Sequence, residues 1–153
     1  MIIPHENDMG WDIYIRMELL QSLPDYVREN GMTVDSVIKL GSDMCSALEL
    51  CRENNIIHRD IKPQNIFVSR YGVFKLGDFG VAKASTIRTS ADKVGTYSYM
   101  APEVYKGKGY DDRVDIYSLG MVLYWLLNDR RGPFLPMPPQ VPTPEQITDA
   151  QIR

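Results

Sequence analysis

Long apolar runs, basic clusters and cysteine pairs are all scarce in this sequence. The most apolar segment, Ile116 to Leu127, is twelve residues long. A membrane span needs about 20, so a buried helix is expected there and no membrane segment. Lys and Arg run no longer than the pair Arg130-Arg131, and the net charge is −3. That balance argues against a nucleic acid partner. The two cysteines, Cys45 and Cys51, are six residues apart and fall on different faces of one helix, which excludes a bridge within it. No CxxC pair or Cys/His cluster suggests zinc. Reduced, buried thiols in a cytoplasmic protein are the expectation. Charge arrives in the first residues before any apolar stretch forms, so no signal peptide is read there.

What is present suits one folded domain. The chain has 153 residues, 44% hydrophobic and 24% charged. That length buries a real core, and that composition excludes a disordered chain. Ile2 and Ile3 suggest the remnant of a strand, and Asp12 to Leu19 alternates loosely as a second. Ser22 caps a short helix with Asp25 at its third position and Gly31 near its end. Thr33 to Asn54 is the clearest helix, with a stripe at Val34, Val37, Ile38, Gly41, Met44, Cys45, Leu48 and Cys51. Gly41 inside it implies close packing. Asn65 to Ser69 and Val73 to Leu76 read as a hairpin turned at Tyr71-Gly72. From Gly77 to Gly109 the chain is polar and mostly loop, a length that usually signals function. Val114 to Asn128 is apolar on nearly all sides, as for a helix at the centre of something larger. Six prolines between 133 and 144 indicate a stiff surface loop. Thr143-Pro144-Glu145-Gln146 then reads as a capping box opening another helix.

The chemistry concentrates in His58-Arg59-Asp60-Ile61-Lys62-Pro63-Gln64-Asn65, followed thirteen residues later by Asp78-Phe79-Gly80. A hairpin between them brings Asp60, Asn65 and Asp78 to one edge. Oxygen donors there, with a lysine beside them, suit hard cations and phosphate. Ala101-Pro102-Glu103 lies downstream, and the order and spacing match the protein-kinase signature set.

The chain therefore resembles the eukaryotic-like protein kinases over nearly its whole length. Lys62, with Gly95-Thr96 before Tyr99-Met100-Ala101-Pro102-Glu103, is similar to the serine/threonine branch. Asp115-Ile116-Tyr117-Ser118-Leu119-Gly120 and the proline-rich loop look most like bacterial members. The resemblance implies an α+β kinase-like fold: a mainly helical C-lobe with short β-hairpins and an N-lobe largely absent. Residues 1–20 would be a remnant of N-lobe strands and the hinge. Residues 21–153 would be an incomplete C-lobe, with the activation segment at 78–103.

It also implies roles. Asp60 would orient the substrate hydroxyl, and Asn65 and Asp78 would hold Mg²⁺ against ATP. Lys62 would offset charge on the transferred phosphoryl group, and Thr96 would shape the substrate site. Met17, Glu18 and Leu20 would meet the adenine at the hinge, with Phe67 below the ring. His58 would pack against Phe79 rather than act as acid or base. Arg59 would pair with a phosphate on Ser85, Thr86, Thr89 or Ser90, with Thr89 or Ser90 preferred. Asp115 would anchor the backbone at His58 and Arg59. Glu103 would lack its usual arginine partner.

The implied activity is transfer of the ATP γ-phosphate to Ser or Thr hydroxyls of a protein substrate. The sequence carries no Gly-x-Gly-x-x-Gly loop and no Val-Ala-Ile-Lys strand, which the family uses to cover and align the phosphates. The expectation is a kinase fragment cut short at both ends, weakly active or inactive by itself. The alternative is a non-catalytic, pseudokinase-like binding module.

Overall fold

A computed structural model describes residues 2–4, 11–13, 16–79, 98–106, 109–133, 135, 140, 143 and 146. Two short strands, β1 (Ile2–Pro4) and β2 (Trp11–Ile13), pair antiparallel with Ile2 opposite Ile13. Among the described residues, the strand expected to reach Leu19 is present only at Trp11–Ile13, since residues 16–20 have no strand to pair with. Residues 16–20 belong to no strand or helix, and Met17 and Leu19 are 80% and 95% exposed.

A three-stranded antiparallel sheet follows, in the order β3 (Gln21–Ser22), β4 (Ile66–Val68), β5 (Phe74–Leu76). Helix α1 (Leu23–Asn30) grows from β3. Its N-cap Ser22 accepts the Asp25 N–H, and its C-cap Gly31 sits at φ 71°, where a glycine avoids the Cβ clash. Helix α2 (Val34–Glu53) is capped by Thr33, whose hydroxyl accepts the Ser36 N–H at 3.2 Å. A short helix α3 (Pro102–Tyr105) lies within the stretch expected to be loop, and α4 (Arg113–Leu127) follows. The α3 signals were conventional: proline in the first turn and Glu103 beside it, favourable for the dipole. At 143–146 the expected capping box is present. Thr143 N–H donates to the Gln146 side chain at 2.9 Å, and Gln146 N–H donates back to the Thr143 hydroxyl at 3.2 Å.

The core gathers Leu23 and Val27 of α1, Leu40, Met44 and Leu48 of α2, Ile61, Ile66, Val68 and Phe74 of the hairpin region, and Leu119 and Val122 of α4. Helix α2 is its axis, against α4 on one side and β5 on the other. The buried face of α2 is Val37, Leu40, Met44, Leu48 and Cys51. At 100° per residue this is turned by about 50° from the stripe expected. Val34 and Ile38 are consequently 62% exposed, and Cys45 is exposed rather than buried. Helix α4 buries Val114, Asp115, Ser118, Leu119 and Val122, while Ile116 and Leu127 are more than half exposed. Its all-round apolarity is thus not matched by all-round burial. No helix among the described residues is long and apolar enough to cross a membrane.

Two predictions come from the α2 contacts. A Cβ on Gly41 would meet only the Leu123 side chain, at 3.5 and 3.7 Å, which is ordinary contact and not the tight approach expected. Gly41→Ala should therefore stabilise the fold by about 0.5–1 kcal/mol through helix propensity, read as a higher urea midpoint; a lower midpoint would mean the helices are closer than the geometry indicates. Asp43 joins α2 to β5: it accepts the Phe74 N–H at 2.9 Å and the Lys39 ammonium at 2.6 Å. Burial opposes its charge, but these two donors outweigh that and hold the carboxyl below its ordinary range. The stability it adds is present at neutral pH and lost as pH falls through the lowered value. Asp43→Asn should lower stability by about 1–2 kcal/mol at pH 7, with a smaller deficit in acid. An equal deficit at pH 7 and pH 3 would show the carboxylate charge to be irrelevant.

Candidate functional site

The site begins where α2 ends. After Asn54, Asn55 takes φ 55° and Ile56 N–H closes back on the Cys51 carbonyl at 2.8 Å. The chain then enters the segment 57–62. Its course is fixed from α4: the Asp115 carboxylate accepts the His58 N–H at 2.7 Å and the Arg59 N–H at 2.8 Å. Asp115 is buried, and two charge-assisted bonds are what make a buried carboxylate tolerable. They also hold Arg59 at φ 66°, an uncommon conformation for a side chain with a Cβ.

Asp60, 4% exposed, follows directly. The Asn65 amide nitrogen donates to its carbonyl at 2.8 Å and to its carboxylate at 3.0 Å. The Lys62 ammonium lies 2.9 Å from the same carboxylate oxygen. A single turn of 3₁₀ helix, Pro63–Asn65, makes these contacts possible by folding residue 65 back over residue 60. Asp60, Lys62 and Asn65 thus form one connected cluster.

Asp78 arrives through the hairpin. Ile66 is opposite Leu76 in the β4–β5 register, and the next pair out is closed by Gly77 N–H donating to the Asn65 carbonyl at 2.9 Å. Asp78 is therefore one residue, about 3.8 Å of Cα travel, from backbone bonded to Asn65. It is exposed and takes φ 59°. Gly77 has no room for a side chain, since a Cβ there would stand 2.7 and 2.9 Å from the Phe67 ring.

His58 ties both halves together. Its Nδ1 accepts the Asp60 N–H at 3.3 Å, which leaves the proton on Nε2 to donate to the Gly77 carbonyl at 2.9 Å. Phe79 stacks edge-on against the imidazole, with ring centroids 4.9 Å apart. Both ring nitrogens are thereby committed to backbone, an arrangement for positioning rather than proton transfer. Nearby, burial pushes the Cys51 thiol up, with the Asp115 charge adding to it, and burial pushes the Tyr99 hydroxyl up to about 12.

Each of the other expected site residues has contacts of its own. Glu18 pairs with Lys75 of β5, both of them about half exposed. Leu20 and Phe67 are half-buried, and the Phe67 ring lies over Gly77. Arg59 is exposed and its guanidinium stacks on Tyr110, 5.4 Å from the ring centroid. Glu103 is half-buried, and its charge acts on Arg113 together with the charges of Asp111 and Asp112. Thr96, Thr89 and Ser90, like Ser85 and Thr86, lie outside the described residues. Neither the Tyr110 stack nor the Glu18–Lys75 pair has a sequence signal, since both join residues far apart in the chain.

The donor set has a clear chemical preference. No group of three or more His, Cys, Asp or Glu among the described residues could hold a metal ion. The Asn65 nitrogen is committed to Asp60, which leaves its amide oxygen for other partners, and Asp78 follows the residue whose N–H bonds the Asn65 carbonyl. One carboxylate and one amide oxygen fit Mg²⁺ that completes its shell with water and phosphate oxygens.

A family model for the protein kinase domain matches residues 7–141. The chain is 44% identical over 117 residues to a probable serine/threonine-protein kinase of Clostridium perfringens, covering 72% of this chain and 17% of that protein. It is 40% identical over 129 residues to the serine/threonine-protein kinase PknB of Mycobacterium leprae, covering 80% of this chain and 21% of that protein. With PknB of Mycobacterium tuberculosis the identity is 41% over 122 residues, covering 74% of this chain and 20% of that protein. The chain spans about a fifth of the length of these curated relatives.

The Asp115 anchor is open to direct measurement. Asp115→Ala leaves the buried His58 N–H and the part-buried Arg59 N–H without their acceptor and should cost about 2–4 kcal/mol in urea unfolding. Asp115→Asn, which keeps one acceptor oxygen, should cost less. A loss below about 0.5 kcal/mol for the alanine variant, the range of ordinary surface substitutions, would show that the loop holds its shape without α4.

Proposed function

The chain belongs to the protein kinase domain family, and from that premise we propose that residues 58–78 carry serine/threonine phosphoryl transfer from ATP. The single observation that carries this reading is the Asp60–Lys62–Asn65 cluster, with Asp78 held on the adjoining backbone.

In this reading each residue has a separable task. The Asp60 carboxylate, fixed by Asn65 and Lys62, accepts a hydrogen bond from the substrate hydroxyl and orients its oxygen for attack. The Lys62 ammonium, already 2.9 Å from Asp60, offsets negative charge growing at the transferred group. The Asn65 amide oxygen and the Asp78 carboxylate hold Mg²⁺. When bound, ATP with Mg²⁺ supplies the phosphoryl group and the positive charge that neutralises it. His58 keeps the Asp60 and Asp78 segments in register, Thr96 shapes the substrate side, and Arg59 receives a phosphate on Thr89 or Ser90. Met17, Glu18, Leu20 and Phe67 frame the adenine. The protein substrate presents a Ser or Thr, and the setting is the bacterial cytoplasm.

Turnover by these 153 residues is expected to be weak or undetectable, because the sequence holds no glycine-rich phosphate loop and no Val-Ala-Ile-Lys lysine. The site is therefore tested first by binding. Calorimetric titration with ATP should show affinity that depends on Mg²⁺. Asp78→Ala should weaken it at least tenfold, or about 1.4 kcal/mol, with an unchanged circular dichroism spectrum. Equal affinity with and without Mg²⁺, or no effect of Asp78→Ala, would remove the proposed metal role. Phosphate incorporation into a basic protein that disappears with Asp60→Asn would show the chain to be more active than expected.

A further inference from the structure

Helices α2 and α4 each carry a second apolar strip that the core does not use. On α2 it is Val34, Ile38 and Cys45, ending at Arg52; at 100° per residue these lie within about 40° of one another. On α4 it is Ile116, Gly120, Leu123 and Leu127, spread over about 60°. Val34 and Ile38 are 62% exposed, Leu127 59% and Ile116 53%, and Cys45 is exposed as well. A Cβ on Gly120 would meet nothing within 4 Å. The two strips lie side by side. Gly41 faces Leu123, while Cys45, Leu48 and Ile56 line a cavity of about 210 Å³ together with Asp115 and Ile116. Rising numbers on α2 therefore run against falling numbers on α4. The helices are antiparallel, and the open face is their common seam.

This face is complementary to itself. A two-fold axis lying in the face and crossing both helices turns each helix antiparallel onto its own copy. With the axis between Gly41 and Ser42, Ile38 meets Cys45 of the second copy. The Gly41–Leu123 contact then places the same axis between Met121 and Val122 on α4. There Ile116 meets Leu127 of the second copy, and Leu123 meets the open side of Gly120. One register thus sets apolar residues against each other on both helices, and of the strips only Val34 has no apolar opposite.

Charge favours the same arrangement. Asp35 and Arg52, near opposite ends of α2, are exposed, and among the described residues neither makes an ion pair within the chain. The antiparallel register brings Arg52 of one copy to about one helical turn, roughly 6 Å, from Asp35 of the other, which a guanidinium on its long stem can span. A parallel pairing would set Asp35 against Asp35. The helices have 20 and 15 residues, about 30 and 22 Å, and packed helices are about 10 Å apart. Their shared face covers on the order of 600 Å² per copy, the lower end for a specific interface.

We propose that two copies of this chain associate through the α2–α4 face as a closed, two-fold dimer, with a dissociation constant on the order of 10 µM. The second copy covers the cavity that Asp115 borders, and so backs the anchor of residues 58 and 59. No residue of the Asp60 cluster takes part, so the dimer stands or falls apart from the phosphoryl-transfer reading.

Sedimentation equilibrium of the chain between about 1 µM and 1 mM provides the test. A monomer–dimer equilibrium without larger species is expected. Ile38→Glu and Leu127→Glu replace exposed side chains and should keep the circular dichroism spectrum while weakening the dimer at least tenfold. Asp35→Lys and Arg52→Glu should each weaken it by roughly three- to tenfold, and the double variant should recover most of that loss. A second measurement needs no variant to fold. Cys45 is the exposed one of the two cysteines. In the proposed register the two Cys45 thiols are offset by the seven positions from 38 to 45, about 10 Å along the helices. A bismaleimide somewhat longer than that should join two copies at Cys45, and Cys45→Ser should abolish the product.

A monomer at every concentration overturns the proposal, as does growth into open-ended oligomers. A dimer indifferent to both Ile38→Glu and Leu127→Glu places the contact elsewhere and overturns it too. So does a dimer that the bismaleimide fails to join, or a charge-swapped double variant weaker than either single one.

Discussion

One carboxylate sets the position of everything at the site. Asp115 of α4 accepts two successive backbone N–H groups, at His58 and Arg59, across 57 and 56 residues of sequence. Helix α4 is in turn fixed against α2 by the shared core of Leu119 and Val122 with Leu40 and Met44. The loop is thus referenced to the packed core and not to its own local propensity. Loops that carry chemistry on a packed scaffold work in this way. From the anchor, contacts run outward without a break: Asp115 to His58, His58 to Asp60 and Gly77, and Asp60 to Lys62 and Asn65.

The parts of this arrangement that were legible in the sequence are those decided by neighbours in the chain. Ser22 with Asp25, Thr33 with Ser36, and Thr143 with Gln146 each form their caps as their spacing requires. The Tyr71-Gly72 turn and the two strands flanking it are equally local, with Gly72 at φ 70°. The order of Asp60, Lys62, Asn65 and Asp78 pointed to phosphate chemistry because short spacings across one hairpin leave few ways to arrange them.

Choices made by distant packing were not legible. The stripe on α2 read from apolar residues alone included Val34, Ile38 and Cys45 and missed Leu40. All are apolar enough to be buried, and only the placement of α4 and β5 decides which are. The same holds for α4, where Ile116 and Leu127 match Leu119 and Val122 in hydrophobicity but not in burial. Short elements fail for another reason. Helix α3 has four residues, too few for a periodic signal to emerge from the loop around it.

The conformations of Arg59 and Asp78 connect these levels. Both have positive φ, at 66° and 59°, and neither is glycine. Such a conformation costs about 1–2 kcal/mol for each residue and persists only where the surroundings impose it. At Arg59 the imposing group is Asp115. At Asp78 it is the hairpin end, where the Gly77–Asn65 bond and the Phe67 ring leave little freedom. His58 lies between the two, bonded to the residue after Arg59 and to the residue before Asp78. His58 thus bonds a chain neighbour of each strained residue. The two arms of the site are thereby joined through one side chain, the kind of support that holds polar groups from different segments in place.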